Sequence, residues 1–207
     1  MCPITATLTR PDLELPLREQ PAAKTAIADP AALGLGAFAM TTFVLSLANA
    51  GLIPEAGFAV LALAFFYGGI AQIIVGVIEF FKGNVFGATA FTSYGMFWMG
   101  FWWIESNPEI AAAVGSVGMG VYLLGWTLFT IYMTIASLKT NGVLVTVFTL
   151  LCTAFVALTI GAFTGNQLIH ELGGWLGLVT AALAAYGSCA VVTNATWKRE
   201  VLPMWAK

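Results

Sequence analysis

The chain has 207 residues, of which 59% are hydrophobic and only 9% are charged. A water-soluble globular domain carries roughly 25% charged residues, so this composition excludes an ordinary soluble domain and indicates a protein that faces lipid. The net charge of −2 indicates no particular partner, and no nucleic-acid partner is predicted.

Six long apolar runs follow one another and are separated by short polar turns. Each is long enough for a membrane-spanning helix, which needs about 20 residues. Because backbone polar groups must be paired inside hydrocarbon, continuous helices are predicted for these runs. Asp29-Pro30 marks the start of the first helix, since Asp caps free N–H groups and Pro suits a first turn. The predicted helices cover residues 33–51, 58–81, 85–104, 112–138, 143–163 and 172–193.

The positively charged residues alternate between the connections in a way that orients the chain. Short cytoplasmic loops hold Lys and Arg, whereas translocated loops do not. Three connections carry no Lys or Arg, and the remaining segments share all eight of these residues, namely Arg10, Arg18, Lys24, Lys82, Lys139, Lys198, Arg199 and Lys207. This pattern predicts an all-α membrane protein with six transmembrane helices in one bundle, built from three hairpins, with both termini cytoplasmic.

The same pattern divides the chain into three parts. Residues 1–28 are of mixed charge and rich in Pro, so a flexible cytoplasmic N-terminal tail is predicted. Residues 29–195 are predicted to be a transmembrane transport domain, and residues 196–207 a cytoplasmic C-terminal tail. A multi-pass protein of the cell (plasma) membrane is expected.

Several polar side chains lie inside the apolar runs and are candidates for a transport path. Gln72 is the strongest candidate, because an amide has four bonding positions to satisfy and an unpaired amide in hydrocarbon is costly. The predicted path also includes hydroxyl side chains at a similar depth, namely Thr41, Thr42, Thr92 and Ser93. The alternative for each hydroxyl is a hydrogen bond to a carbonyl of its own helix.

Each ionisable residue near the apolar runs has two possible roles. Glu79 precedes Lys82 by three residues, which favours a local ion pair, with a proton relay as the alternative. His170 and Glu171 are placed in an outer loop, where His170 is either solvated or a pH sensor. A single His and the absence of paired acids within the runs argue against an enzyme, and no cofactor or metal site is predicted.

Several longer motifs lie together in this one chain and identify a family. They occupy residues 66–72, 83–98, 120–126, 165–166 and 174–175. With them the chain resembles the acetate uptake transporter family, including its bacterial succinate–acetate permeases. The family's signature Asn-Pro-Ala-Pro-Leu-Gly-Leu corresponds here to Asp29, Pro30, Ala31, Ala32, Leu33, Gly34 and Leu35. Asp for Asn adds a negative charge near the expected anion entrance, so an altered charge preference is expected.

The resemblance implies a homohexamer of six-helix protomers, each with its own path for acetate, succinate and protons. It also implies a narrow apolar constriction formed by Phe38, Tyr94 and Leu151, with Leu150 as the alternative for the last position. Asn166 joins the predicted substrate-binding residues. With no Lys or Arg inside a run, an anion would find no direct ion pair, so a protonated acid would cross at lower cost. Whether the protein is a channel or a proton-coupled carrier stays open.

Two other functions remain as alternatives to carboxylate transport. One is a channel for ammonia or another small solute. The other is a membrane sensor or scaffold that does not transport.

Overall fold

The computed structural model describes residues 27–205, and this part of the chain forms six helices. The predicted all-helical fold is confirmed for these residues. The helices are α1 (Ala31–Asn49), α2 (Ala56–Lys82), α3 (Val85–Glu105), α4 (Pro108–Ser137), α5 (Gly142–Thr164) and α6 (Gln167–Trp197). Residues 1–26 of the predicted tail, 1–28, lie outside the described residues.

Five of these helices are long and apolar enough to cross a membrane. The exception is α3, which has the required length but a lower hydropathy, because Gly, Thr, Ser, Tyr and Trp residues interrupt its apolar side chains. This helix contributes many of the aromatic contacts in the centre of the bundle. Its low hydropathy therefore accompanies a position inside the bundle.

Asparagine side chains determine where three of the helices begin, and at the start of α3 the Asn84 side chain accepts from Gly87 N at 3.1 Å. The Asn141 side chain accepts from Leu144 N at 3.0 Å at the start of α5. The Asn166 side chain accepts from Ile169 N at 3.2 Å and caps α6. Consequently α6 begins at Gln167, and the prediction that His170 and Glu171 lie in a loop was wrong.

Helix α2 contains a π-helical stretch, Phe66–Ala71, between two α-helical parts. A π-helical turn inserts an extra residue and shifts the face on which later residues lie. Gln72 follows this stretch directly and is 1% exposed. The irregular turn thus determines the direction of the buried amide.

Around the bundle, α1 packs on α6, α6 on α5, α5 on α4, and α2 on α3. At the contact between α1 and α6, Gly174 lies against the backbone of Asn49 and Ala50. Small residues allow backbones to approach closely, which is the main source of helix association in lipid. The largest cluster of buried side chains lies in the middle of the bundle and includes Phe38, Tyr94 and Leu151.

After α6 the chain turns back and lies against the end of the bundle. The Asn194 side chain donates to Leu202 O at 2.8 Å and accepts from the N–H groups of Val201 and Leu202 at 2.7 and 3.0 Å. Gly142 N donates to Trp205 O at 2.9 Å, and the Trp205 ring stacks on Tyr186 with centroids 5.8 Å apart. We call residues 198–205 the C-terminal strap.

Replacing Asn194 by Ala is expected to free the C-terminal strap. The change removes three hydrogen bonds, each worth about 0.5–1.5 kcal/mol. Hydrogen exchange read by mass spectrometry should show backbone amides of residues 199–205 exchanging at least about tenfold faster. Asn166→Ala, at the opposite end of α6, is the control and should affect only the first turn of that helix. Equal exchange in the parent and in Asn194→Ala would contradict the anchoring role.

Candidate transport pathway

Two cavities enter the bundle from opposite ends. The basic-end cavity, of about 210 Å³, is lined near its mouth by Asp29, Lys82, Asn141 and Met204. The acidic-end cavity, of about 270 Å³, is lined near its mouth by Asn49, Gly57, Glu105 and His170. The walls of both cavities are mainly apolar.

Phe38, Tyr94 and Leu151 are the residues that line both cavities. They come from the middle of α1, α3 and α5 and are 6%, 3% and 6% exposed. The Phe38 and Tyr94 rings lie with their centroids 6.0 Å apart at an interplanar angle of 54°. Leu150, the alternative for the third position, lines neither cavity. A layer of three apolar surfaces therefore separates the two cavities.

The Tyr94 ring is fixed from the side of α4. Its hydroxyl lies 2.9 Å from Thr130 Oγ1, and Thr130 in turn donates to Trp126 O at 2.7 Å. Because the Thr130 proton is used in that second bond, Tyr94 is the donor in the first. The Phe129 ring meets Tyr94 edge to face with centroids 5.2 Å apart. Tyr94 thus presents its ring, with its hydroxyl group already paired.

Three side chains of the cavity walls carry a buried polar atom that has no partner among the described residues. Thr42, with Oγ1 unpaired, and Trp98, with Nε1 unpaired, line the acidic-end cavity, and Gln72, with Oε1 unpaired, lines the basic-end cavity. Thr42 follows Phe38 by four residues and Trp98 follows Tyr94 by four, so each lies one helical turn from the apolar layer. An indole N–H is a donor only, and a hydroxyl both donates and accepts. Thr42 and Trp98 can therefore donate to a carboxyl oxygen or to water, whereas Gln72 Oε1 can only accept, from the O–H of an acid or from water.

The other predicted substrate-binding residues are not brought to either cavity. Thr41 Oγ1 donates to Ala37 O of its own helix at 2.8 Å. This is the hydrogen bond within one helix that was the alternative to a role in the transport path. Thr92 is packed against Gly76, Ser93 is half-buried away from the cavities, and Asn166 caps α6 at an exposed position. Their roles in binding stay predictions.

The sequence was compared with models of known protein families. Residues 13–204 match the GPR1/FUN34/yaaH family. The chain belongs to this family. The resemblance to acetate uptake transporters is thereby confirmed.

Three similar relatives carry names that describe transport. The succinate-acetate/proton symporter SatP of Escherichia coli is 44% identical over 182 residues, which are 87% of this chain and 96% of that protein. Acetate permease A of Emericella nidulans is 36% identical, over 86% of this chain and 65% of that protein. Ammonia transport outward protein 2 of Saccharomyces cerevisiae is 38% identical, over 84% of this chain and 64% of that protein. None of these three names describes an enzyme, which supports the expectation of a non-enzymatic protein.

A solved structure of the bacterial acetate channel SatP has the same fold. It superposes with a TM-score of 0.82 at 44% identity and covers 86% of this chain and 99% of that chain. The GPR1/FUN34/yaaH member described here is therefore a multi-pass, all-helical membrane protein.

The N-terminal signature of this family member lies at the mouth of the basic-end cavity. Asp29 Oδ1 accepts from Ala31 N at 3.1 Å and from Lys82 Nζ at 2.8 Å. Pro30 is the N-cap residue of α1, Gly34 packs against the Phe91 ring, and Leu35 lines the cavity. Leu33 is 46% exposed. Because Lys82 compensates the charge of Asp29, the substitution of Asp for the family's Asn adds an ion pair here, rather than a free negative charge.

Some residues of the cavities were not predicted from the sequence. Phe97 and Phe155 line the acidic-end cavity three and four residues after Tyr94 and Leu151. Helical periodicity places them on the same faces, so this spacing was a signal that could have found them. Trp98, four residues after Tyr94, has the same kind of spacing, but only the tertiary structure shows that its N–H lacks a partner among the described residues.

Proposed function

We propose that this protein is a transporter or channel for acetate and related small carboxylates, including succinate, and that movement of the carboxylate is linked to protons. The supporting observation is the pair of opposing cavities whose linings, among the described residues, share Phe38, Tyr94 and Leu151. The similarity to the succinate-acetate/proton symporter and to the acetate channel supports the choice of substrate.

The chemistry of the cavities suits a carboxylic acid better than its anion. The one Lys on the cavity walls, Lys82, is already paired with Asp29, so the described walls offer no free cation for a carboxylate. An unpaired charge in an apolar, membrane-embedded layer is costly. The neutral acid has an O–H donor for Gln72 Oε1 and oxygens that accept from Thr42 and Trp98. Weak polar contacts on both sides of the layer allow entry and release.

For the arrangement in the membrane, the proposal is six crossings, with the basic end and both termini on the cytoplasmic side of the plasma membrane. The position of Lys82, Lys139, Lys198 and Arg199 at one end of the bundle supports this orientation. The proposed domain limits remain 1–28, 29–195 and 196–207. Both cavities and their shared layer lie within one chain, which supports one path per protomer in the proposed homohexamer.

Uptake of labelled acetate into proteoliposomes tests the proposed function. Uptake above that of protein-free vesicles is expected, with stimulation by an inward proton gradient and loss of this stimulation in the presence of an uncoupler. Excess acetate and succinate should compete. Uptake equal to that of protein-free vesicles would contradict transport, and uptake that ignores both the gradient and the uncoupler would contradict the proton link.

The same assay separates the proposal from the ammonia channel. The name of the yeast relative and the apolar layer favour that alternative as a second candidate. Competition by ammonium without competition by acetate would support it.

A further inference from the structure

Glu79 is a carboxyl group that is completely buried near the basic end of α2. Its side chain has an exposure of 0%, and its Oε1 has no hydrogen-bond partner among the described residues. Its Oε2 accepts from Asn84 Nδ2 at 2.9 Å. A buried carboxyl group in a membrane protein is rare and costly, and such groups commonly take part in proton transfer. An oxygen without a donor calls for a water molecule or a proton on the carboxyl group itself.

Only a thin wall separates Glu79 from the basic-end cavity. Asn84, Lys82 and Gly87 line that cavity, and each of them is close to the Glu79 side chain. A methyl group added at Gly87 would lie 3.1 Å from Glu79 Cδ and 2.6 Å from Asn84 Nδ2. The absence of a side chain at Gly87 therefore leaves the carboxyl group directly behind the cavity wall.

A series of unpaired oxygens follows the same face of α2, with Gln72 and Glu79 on α2 itself and Thr92 on the facing α3. Residues 72, 76 and 79 share this face, which spans about 10 Å along the helix axis. Gln72 Oε1 lies at one end, Thr92 Oγ1 packs against Gly76 in the middle, and Glu79 Oε1 lies at the other end. This series of polar atoms extends along α2 from Gln72 to the carboxyl group of Glu79.

The charges near Glu79 do not balance when it is ionised. Lys82 Nζ lies 3.9 Å from Glu79 Oε2 but 2.8 Å from Asp29 Oδ1. The neighbours Asn84, which caps α3, and Gly87 on α3 do not titrate, and α1 and α5 contain no charged residue. The titratable His170 and Glu171 of α6 lie at the opposite end of the bundle. Among the described residues, one Lys thus faces two carboxylates, and a proton on Glu79 restores neutrality.

We propose that Glu79 exchanges a proton with the carboxylate substrate in the basic-end cavity. This inference rests on the proposed function and names the residue that carries out its proton step. When substrate enters from the basic end, the Glu79 O–H bond breaks and an O–H bond forms on the substrate carboxylate. The neutral acid then crosses the layer of Phe38, Tyr94 and Leu151. In the opposite direction the acid returns its proton to ionised Glu79 and leaves as the anion.

Glu79→Gln tests the proposal because Gln keeps the shape and the acceptor for Asn84 but carries no exchangeable acid proton. Exchange of labelled for unlabelled acetate across proteoliposomes is measured at equal pH on both sides, with the leak of protein-free vesicles subtracted. At neutral pH, where the acid is almost entirely ionised, we expect exchange to fall about tenfold. At mildly acidic pH, where bulk water supplies the acid form, exchange should stay within about twofold of the parent.

Matched variants separate a proton step from a structural role. Glu109→Gln, the same change at an exposed position, should behave as the parent at both pH values. Glu79→Asp should recover part of the neutral-pH exchange. An equal loss by Glu79→Gln at both pH values, or no loss at either, would overturn the proposal for Glu79. Parent protein that exchanges no faster than protein-free vesicles would instead overturn the proposed function.

A measurement on the parent protein covers the case in which Glu79→Gln does not fold. Dicyclohexylcarbodiimide adds to protonated carboxyl groups in apolar surroundings, and peptide mass spectrometry locates the adduct. The expected adduct lies on Glu79, decreases as the pH is raised, and decreases when excess acetate is present. A lack of adduct on Glu79 at all pH values, or an adduct that acetate does not affect, would overturn the proposal.

Discussion

Phe38→Ala is expected to join the two cavities and to relax the selection of substrates by size. Phe38 is one of the three side chains between the cavities, and its ring faces that of Tyr94. Removing the ring leaves a gap at the narrowest point, through which larger carboxylates and hydrated ions can pass. The ratio of succinate to acetate uptake should rise about tenfold, since the fit between a site and a slightly larger substrate is worth ~1–3 kcal/mol.

The measurement is uptake of both labelled acids in parallel, together with release of a trapped larger carboxylate. Phe58→Ala is the matched control, because Phe58 is 80% exposed at the start of α2 and lies outside both cavities. Tyr94→Phe is a second control that removes the hydrogen bond to Thr130 and keeps the ring. An unchanged uptake ratio in a folded Phe38→Ala protein would contradict the role of this layer.

Gly174→Ala is expected to lower the thermal stability of the bundle strongly. A methyl group there would overlap Ala50 N and lie 2.5 Å from the Asn49 carbonyl carbon, so the backbones of α1 and α6 would have to separate. Overpacking costs about 1–3 kcal/mol in protein interiors, which corresponds to a melting temperature lower by roughly 2–12 °C.

The control for this prediction is the same substitution where space is free. Nothing lies within 4 Å of a methyl group added at Gly125 on α4, and the position is exposed. Gly125→Ala should leave the melting temperature unchanged or raise it slightly, because Ala is the better helix former by about 1 kcal/mol. Thermal unfolding in detergent measures both proteins. Equal melting temperatures for the two variants would contradict the close contact between α1 and α6.

The helices could be predicted where turn residues were unambiguous. The predicted range 85–104 lies within one residue of α3 (Val85–Glu105), because Gly83-Asn84 and the segment before Pro108 leave few alternatives. The start of α6 was missed because Asn166 acts as a cap for a helix and was interpreted as part of a loop. The π-helical stretch in α2 could not be predicted, since no local pattern distinguishes it from an α-helix.

The sequence indicated the apolar side chains between the two cavities better than it indicated the polar side chains near them. The family resemblance gave Phe38, Tyr94 and Leu151, and the structure places these three between the cavities. Thr41 and Thr42 are adjacent in sequence, so composition alone could not decide which one faces a cavity. Their directions differ by about 100° on a helix, and only Thr42 lines the acidic-end cavity. The burial of Glu79 depends on α3, which no local pattern on α2 reveals.

One-sided labelling of introduced cysteines tests the separation of the two cavities most directly. Thr42→Cys in the acidic-end cavity and Ala90→Cys in the basic-end cavity are each prepared with Cys2, Cys152 and Cys189 replaced by Ser. A membrane-impermeant thiol reagent should modify Thr42→Cys from one face of the membrane and Ala90→Cys from the other, and adding Phe38→Ala should remove this sidedness. Equal modification of both cysteines from the same face, with Phe38 in place, would contradict the layer that Phe38, Tyr94 and Leu151 form.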